Sequence, residues 1–125
     1  MEHVHIVLIN ENGEVLAVSR KDNHNDFGLP GGKVDPRDLS LKMAATRELE
    51  EETGLIATNL ELIFAMHRNG KMGYTFVADY SGELFTEEFH VVKWTNFQDV
   101  IDGKYGQWNE LVYQALRSKN INVKL

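Results

Sequence analysis

Ser40 and Gly54 bracket the segment that most restricts what this chain can become. Ser40 offers a side-chain oxygen to the free amides of a helix's first turn, and Gly54 stands where a chain leaves a helix through the left-handed region. The helix predicted between them, running to about Thr53, contains Arg47-Glu48-Leu49-Glu50-Glu51-Glu52. A run of charge is ordinarily a solvated face. The spacing argues for more: Leu41, Ala45, Glu48 and Glu52 are separated by four, three and four residues, and so lie along one stripe of a helix. Two glutamates thus continue the line of the apolar face. Glu51 borders the same stripe, whereas Glu50 points to the solvent side.

Like charges three or four residues apart cost an isolated helix roughly 0.2–0.5 kcal/mol per pair, and burial raises that cost. Something cationic should compensate. Arg47 precedes Glu51 by four residues and can pair with it, but one guanidinium does not neutralise three clustered carboxylates. Oxygen ligands in a chain without cysteine, and without a histidine cluster, suit Mg²⁺ or Mn²⁺ rather than zinc. Upstream, Phe27-Gly28-Leu29-Pro30-Gly31-Gly32 holds one proline and three glycines, which disfavour helix and regular strand and predict a shaped loop. Gly31 and Gly32 let the backbone approach a ligand or metal closely. Alone, such a pair reads as a tight turn; with Glu48 only 16 residues beyond Gly32, it reads as the second half of a phosphate site.

The other elements follow from β-branched runs and turn chemistry. His3 to Ile9 and Val15 to Val18 read as strands joined through Asn10-Glu11-Asn12-Gly13 into a hairpin, and residues 21 to 26 as a polar loop. Leu60 to Met66 and Tyr74 to Tyr80 form a strand pair around Asn69-Gly70, with Gly73 weakening the start of the second. Another strand covers His90 to Trp94, Phe97 to Ile101 a short helix, and Trp108 to Arg117 a longer one on which Leu111, Val112, Ala115 and Leu116 follow helical spacing. The alternating tail Asn120 to Leu125 suits strand pairing within the chain or across a dimer, so monomer and homodimer both stay open. This order predicts an α/β fold, a mixed sheet with helices packed on it.

Composition narrows the function classes. With 125 residues, 42% of them hydrophobic, the chain has the material for one domain spanning 1–125. A formal net charge of -6 and the lack of any Lys/Arg run disfavour non-specific nucleic-acid binding. No window approaches a membrane span, no cysteine supplies a disulfide or a thiol nucleophile, and a soluble cytoplasmic protein is the expectation.

At these residues the chain resembles the Nudix hydrolases, whose signature is Gly, five residues, Glu, seven residues, then Arg-Glu-U-x-Glu-Glu-x-Gly-U, with U a bulky aliphatic. Arg47-Glu48-Leu49-Glu50-Glu51-Glu52-Thr53-Gly54-Leu55 fills every specified position of the second half, and Gly28-Leu29-Pro30-Gly31-Gly32 is similar to the family's lead-in. The first half departs from the pattern: Asp38 stands where Glu is expected, and eight residues rather than seven separate it from Arg47. Either Asp38 or Leu39 therefore fills the first carboxylate position. The motif covers about a fifth of the chain, and the length and element order of the remainder suit the family's α/β/α sandwich.

The resemblance implies metal-dependent hydrolysis of a nucleoside diphosphate linked to another group, by attack of water on phosphorus. Glu48, Glu51 and Glu52, with the carbonyl of Gly32, would hold Mg²⁺ or Mn²⁺, and Arg47 would orient a carboxylate. Many relatives use one more glutamate outside the motif as ligand or base; Glu83, Glu87 and Glu88 are the candidates. In the branch that cleaves oxidised dGTP this residue precedes a strand Trp by six positions, as Glu88 precedes Trp94, and a purine-reading Asn follows that Trp by fifteen, which falls on Asn109. Glu88 is favoured on that spacing, with a solvated loop carboxylate as the bland reading. Asn109 has the chemistry for a purine edge, and equally that of a residue capping or lining the last helix. Lys33 either touches phosphate or is an exposed lysine.

The first substrate expectation is a (d)NTP or an oxidised purine triphosphate cleaved to monophosphate and pyrophosphate. Removal of pyrophosphate or a cap from an RNA 5′ end is the alternative, against which the acidic charge counts. A non-catalytic nucleotide-sensing domain would normally lack the glutamates that are present here. His3 and His5 alternate on one strand face and could bind metal, but on a terminal strand read first as partly exposed surface residues, His24, His67 and His90 share no ligand spacing, and Trp108 and Phe27 read as core before base-stacking residues.

Overall fold

The aliphatic runs at the start of the chain become strands buried on both faces. A computed structural model describes residues 1–85 and 89–125. β1 (Glu2–Leu8) and β2 (Val15–Ser19) are followed by the short strands β3 (Phe27–Gly28) and β4 (Gly31–Lys33), helix α1 (Leu41–Thr53), the long strands β5 (Ile56–Arg68) and β6 (Lys71–Ser81), β7 (Val92–Thr95), and helices α2 (Gln98–Ile101) and α3 (Gly106–Ser118). Two sheets result. One has the order β4-β1-β6-β5, with β1 and β6 parallel and the other pairs antiparallel, and the second has the antiparallel order β3-β2-β7.

The predicted hairpin between β1 and β2 is not formed as a ladder. The strands diverge into different sheets after the single bridge Ile9–Val15, because each has apolar neighbours to cover on both sides. The shaped loop also needs correction, since Phe27–Gly28 and Gly31–Lys33 pair with β2 and β1. Glycine permits this pairing where bulkier residues would not: a Cβ on Gly31 would lie 2.1 Å from the Val4 carbonyl oxygen. β5 and β6 are longer than the sequence suggested and turn through Asn69 (φ 52) and Gly70 (φ 75), both left-handed, as a two-residue hairpin with strand-matched twist requires. The tail forms no strand, yet Lys124 donates its amide to Gly13 O and its carbonyl accepts from Phe97 N–H.

Two apolar clusters hold the layers together. Val4, Ile6 and Leu8 of β1 pack with Leu16, Phe76 and with Ala44, Ala45 and Leu49 of α1. On the opposite side Val7, Val15 and Ala17 meet Phe27, Ile63, Phe97, Val100, Trp108, Val112 and Leu116, which brings α2 and α3 into the structure. This is the expected α/β/α arrangement around mixed strands. α1 is closed as its sequence predicted: Ser40 Oγ accepts from Met43 N–H at 3.1 Å, and Gly54, at φ 78, donates its amide to Glu50 O. Ser40→Ala should cost about 1 kcal/mol. Denaturant melts would reveal it as a shift in midpoint at unchanged slope; an unshifted midpoint would show that the cap contributes nothing.

Candidate active site

The edge strand β4 carries the two glycines onto the N-terminal strand, and α1 lies beside them. Gly32 has no room for a side chain: a Cβ there would be 2.6 Å from the Glu48 carboxyl carbon, so that carboxylate rests directly on the glycine backbone. Gly31 donates its amide to Glu52 Oε1 at 2.8 Å. Both contacts follow from the stripe read in the sequence, which turns Glu48 and Glu52 inward. Glu50 is exposed, as helical geometry required.

Arg47 organises the outer part of the cluster. Its guanidinium donates to both oxygens of Asp38 (3.0 and 2.9 Å), to Glu48 at 3.1 Å, to Glu51 at 3.2 and 3.3 Å, and to the Lys33 carbonyl at 3.2 Å. Asp38, not Leu39, therefore meets the arginine; Leu39 is 85% exposed. Hydrogen bonding from Arg47 holds the Asp38 carboxyl below its ordinary range, and Asp38 in turn raises the arginine's own pKa. The inner carboxylates behave in the opposite way. Burial raises Glu48 despite Arg47, and burial, with repulsion from Glu48 and Glu51, pushes Glu52 up to about 7 against the opposing Gly31 hydrogen bond.

Among the described residues no three acidic or histidine side chains are gathered into a ready-made metal cage. Arg47 draws Glu51, whose side chain is 58% exposed, toward itself, and Gly31 holds Glu52. The donor set nevertheless fits a hard divalent ion. It is all oxygen, it carries more negative charge than one arginine offsets, and Glu52 is raised by burial and by repulsion from Glu48 and Glu51, which a bound cation would relieve.

A cleft of about 540 Å³ extends from this carboxylate end. Gly31, Gly32 and Glu52 line it together with Phe27, Leu29, Met66, Trp108 and Asn109, and His5 lies beside Gly31 with its ring 6.0 Å from that of Trp108. Arg20, Arg68, Lys71 and Lys104, scattered in the sequence, also face it and outnumber the lining carboxylates Asp26 and Glu52, although Arg20 is paired with Asp22 and Asp26. Trp108 and Phe27 are each 8% exposed and belong at once to the core and to the cleft wall. Trp108 stands on Gly73, where a Cβ would come within 2.7 Å of the indole, so the glycine that weakens β6 by propensity makes room for the ring.

Asn109 does not cap α3, whose N-cap is Tyr105; it is buried in the first turn and donates to Val100 O at 3.0 Å. One of its N–H groups is thereby committed to the fold while the residue lines the cleft. Lys33 is exposed and outside the cleft lining. Glu83 is exposed, and Glu87 and Glu88 lie outside the described residues. His3 and His5 are partly exposed as expected, but their face is the cleft floor, which strand alternation alone does not reveal. Among the described residues, His24 and His90 lie within hydrogen-bond distance of the Phe89 and Ser19 carbonyls, respectively.

An α/β/α sandwich with an acidic helix beside a glycine edge strand offers an all-oxygen site suited to a metal–phosphate group, and the comparisons give the particular family. The family model described as NUDIX domain matches residues 1–116, and the chain belongs to that family. It is similar to the CTP pyrophosphohydrolase of Escherichia coli, at 30% identity over 81% of this chain and 80% of that protein. An 8-oxo-dGTP diphosphatase of Haemophilus influenzae is 30% identical over 83% of this chain and 71% of its own length. A Bacillus subtilis relative matches at 47% identity over a shorter stretch, 39% of this chain, and the chain spans only 32% of that protein. Among solved structures, a MutT from a study of Aliivibrio salmonicida and Vibrio cholerae superposes with a TM-score of 0.77 at 22% identity, covering 94% of this chain and 97% of its own, which shows the fold. The chain is a pyrophosphohydrolase by class. No helix among the described residues is long and apolar enough to cross a membrane.

Proposed function

We propose that the protein hydrolyses a nucleoside triphosphate to the monophosphate and pyrophosphate, with a (d)NTP or an oxidised purine triphosphate as substrate and Mg²⁺ or Mn²⁺ as the metal. The observation that carries this reading is the continuity of the cleft from Gly31, Gly32 and Glu52 to Trp108 and Asn109. Glu52 and the glycine backbone would take a metal–phosphate group, and Trp108 and Asn109 would offer aromatic and amide groups to a base. The activities named for the Escherichia coli and Haemophilus influenzae relatives are both consistent with it.

Glu48, Glu51 and Glu52, with the Gly32 carbonyl, would hold the ion. Bound there, it supplies an acidified water and neutralises charge on the phosphate oxygens. Arg47, fixed by Asp38, keeps Glu48 and Glu51 oriented, and its own charge keeps Asp38 ionised. Asn109 is assigned to substrate and Glu88 to the additional ligand or base, whereas Lys33, outside the cleft lining, is left as an exposed lysine. The test is pyrophosphate release from a panel of purine, pyrimidine and oxidised-purine triphosphates with Mg²⁺, for wild type and Glu51→Gln. Wild type should turn over at least one of them, and the variant should lose roughly a hundredfold or more in kcat. Equal rates in the two proteins would overturn the assignment of the glutamates, and an inactive wild type would overturn the substrate class.

A further inference from the structure

We infer that His5 binds a hydroxyl group of the substrate's pentose and so sets how the enzyme distinguishes ribo-, deoxyribo- and dideoxyribonucleotides. The inference rests on the nucleotide reading above, and on where His5 stands between the two ends of the cleft. On the β4 side its register partner is Gly31, so close that a Cβ on that glycine would be 2.9 Å from His5 Nδ1; the same Gly31 holds Glu52. Beyond it is Trp108, with ring centroids 6.0 Å apart. A nucleotide with phosphates at the glycine–carboxylate end and its base toward Trp108 and Asn109 must lay its sugar across His5.

The chemistry of the floor suits a hydroxyl. His5 is uncharged near neutral pH, so its ring offers one N–H and one lone pair, the combination that pairs with a group both donating and accepting. The protein leaves polar capacity around it unused. Thr75, the register partner of His5 on β6, is fully buried with its hydroxyl unpartnered, and the unpartnered Nε2 of His3 and Nε1 of Trp108 belong to side chains lining the same cleft. Buried polar atoms without partners are uncommon and call for a ligand or an ordered water. A positively charged residue at position 5 would compete for phosphate, and a purely apolar one could not register a missing hydroxyl.

The experiment compares kcat/KM for a triphosphate, its 2′-deoxy form and its 2′,3′-dideoxy form, in one purine and one pyrimidine series, for wild type, His5→Phe and His5→Gln. In wild type, removing the contacted hydroxyl should lower kcat/KM about tenfold, by the same factor in both series, since the contact does not involve the base. His5→Phe should flatten the three sugars to within about twofold, while His5→Gln, which retains donor and acceptor, should keep most of the step. If His5→Phe shows no cooperative melt, His5→Leu is read in its place. A wild type indifferent to the sugar, or a step that survives loss of the imidazole, overturns the inference and leaves the nucleotide reading standing. Failure of every triphosphate in wild type overturns both.

Discussion

Glu52→Gln is expected to stabilise the metal-free protein above pH 7 and at the same time to remove its hydrolytic activity. Burial among other carboxylates lifts Glu52 to about 7, whereas the ordinary value is 4.5. Between those two pH values the folded protein keeps a proton that the unfolded chain has released, so stability falls as pH rises through that window and the full penalty applies above it. The penalty is about 1–3 kcal/mol for a group that remains partly solvated. Glutamine removes the charge while still accepting from Gly31 N–H. Thermal melts in a chelator at pH 8 should therefore run higher for the variant, and a divalent cation should raise wild type more than Glu52→Gln. His5 works with the opposite sign. Burial lowers it to about 4, so the unfolded chain takes up a proton first, and stability declines as pH falls from about 6.5 toward 4. That acid limb should persist in Glu52→Gln. A variant that melts below wild type in chelator at pH 8 would contradict the electrostatic account, and a variant with wild-type kcat would contradict the metal assignment.

Gly31→Ala should have the largest effect on the fold. The added methyl would lie 2.1 Å from the Val4 carbonyl oxygen and 2.9 Å from the His5 Cα, and these are backbone atoms that cannot rotate away. β4 would have to separate from β1, taking with it the hydrogen bond to Glu52. The cost should exceed about 3 kcal/mol, beyond the usual range for overpacking. Gly28 provides the control three residues earlier, since a Cβ there meets nothing within 4 Å. Gly28→Ala should be neutral or stabilising by up to about 1 kcal/mol through the unfolded chain. Denaturant titration of both variants checks the contrast, and similar midpoints would show that β4 yields more easily than its contacts imply.

The helix was legible in the sequence, with its caps at Ser40 and Gly54, because its caps and its stripe are local signals that tertiary packing did not need to override. The same periodicity separated Glu48 and Glu52 from Glu50. What the sequence concealed was long-range. β1 and β2 look like the arms of a hairpin, and only the presence of β6 and β7 explains why they part. Gly73 weakens a strand by local propensity, yet Trp108, 35 residues later, rests on it. Whether Asp38 or Leu39 met the inserted motif could not be read from spacing, since it depends on which side chain reaches Arg47 across a loop. His5 was visible as a residue on one strand face, but the face that borders the cleft is fixed by where α3 returns.

β1 and β2 supply side chains to both apolar clusters, alternating from one to the other along each strand. The layers on their two sides consequently share their walls. Neither α1 nor α3 can detach without exposing strands on which the other depends, and this favours a single cooperative transition over stepwise loss of layers. Ligand binding free energy acquired at the carboxylate end is then felt by the backbone beneath the base as well, so that occupancy of half the cleft would restrain the opening of the whole.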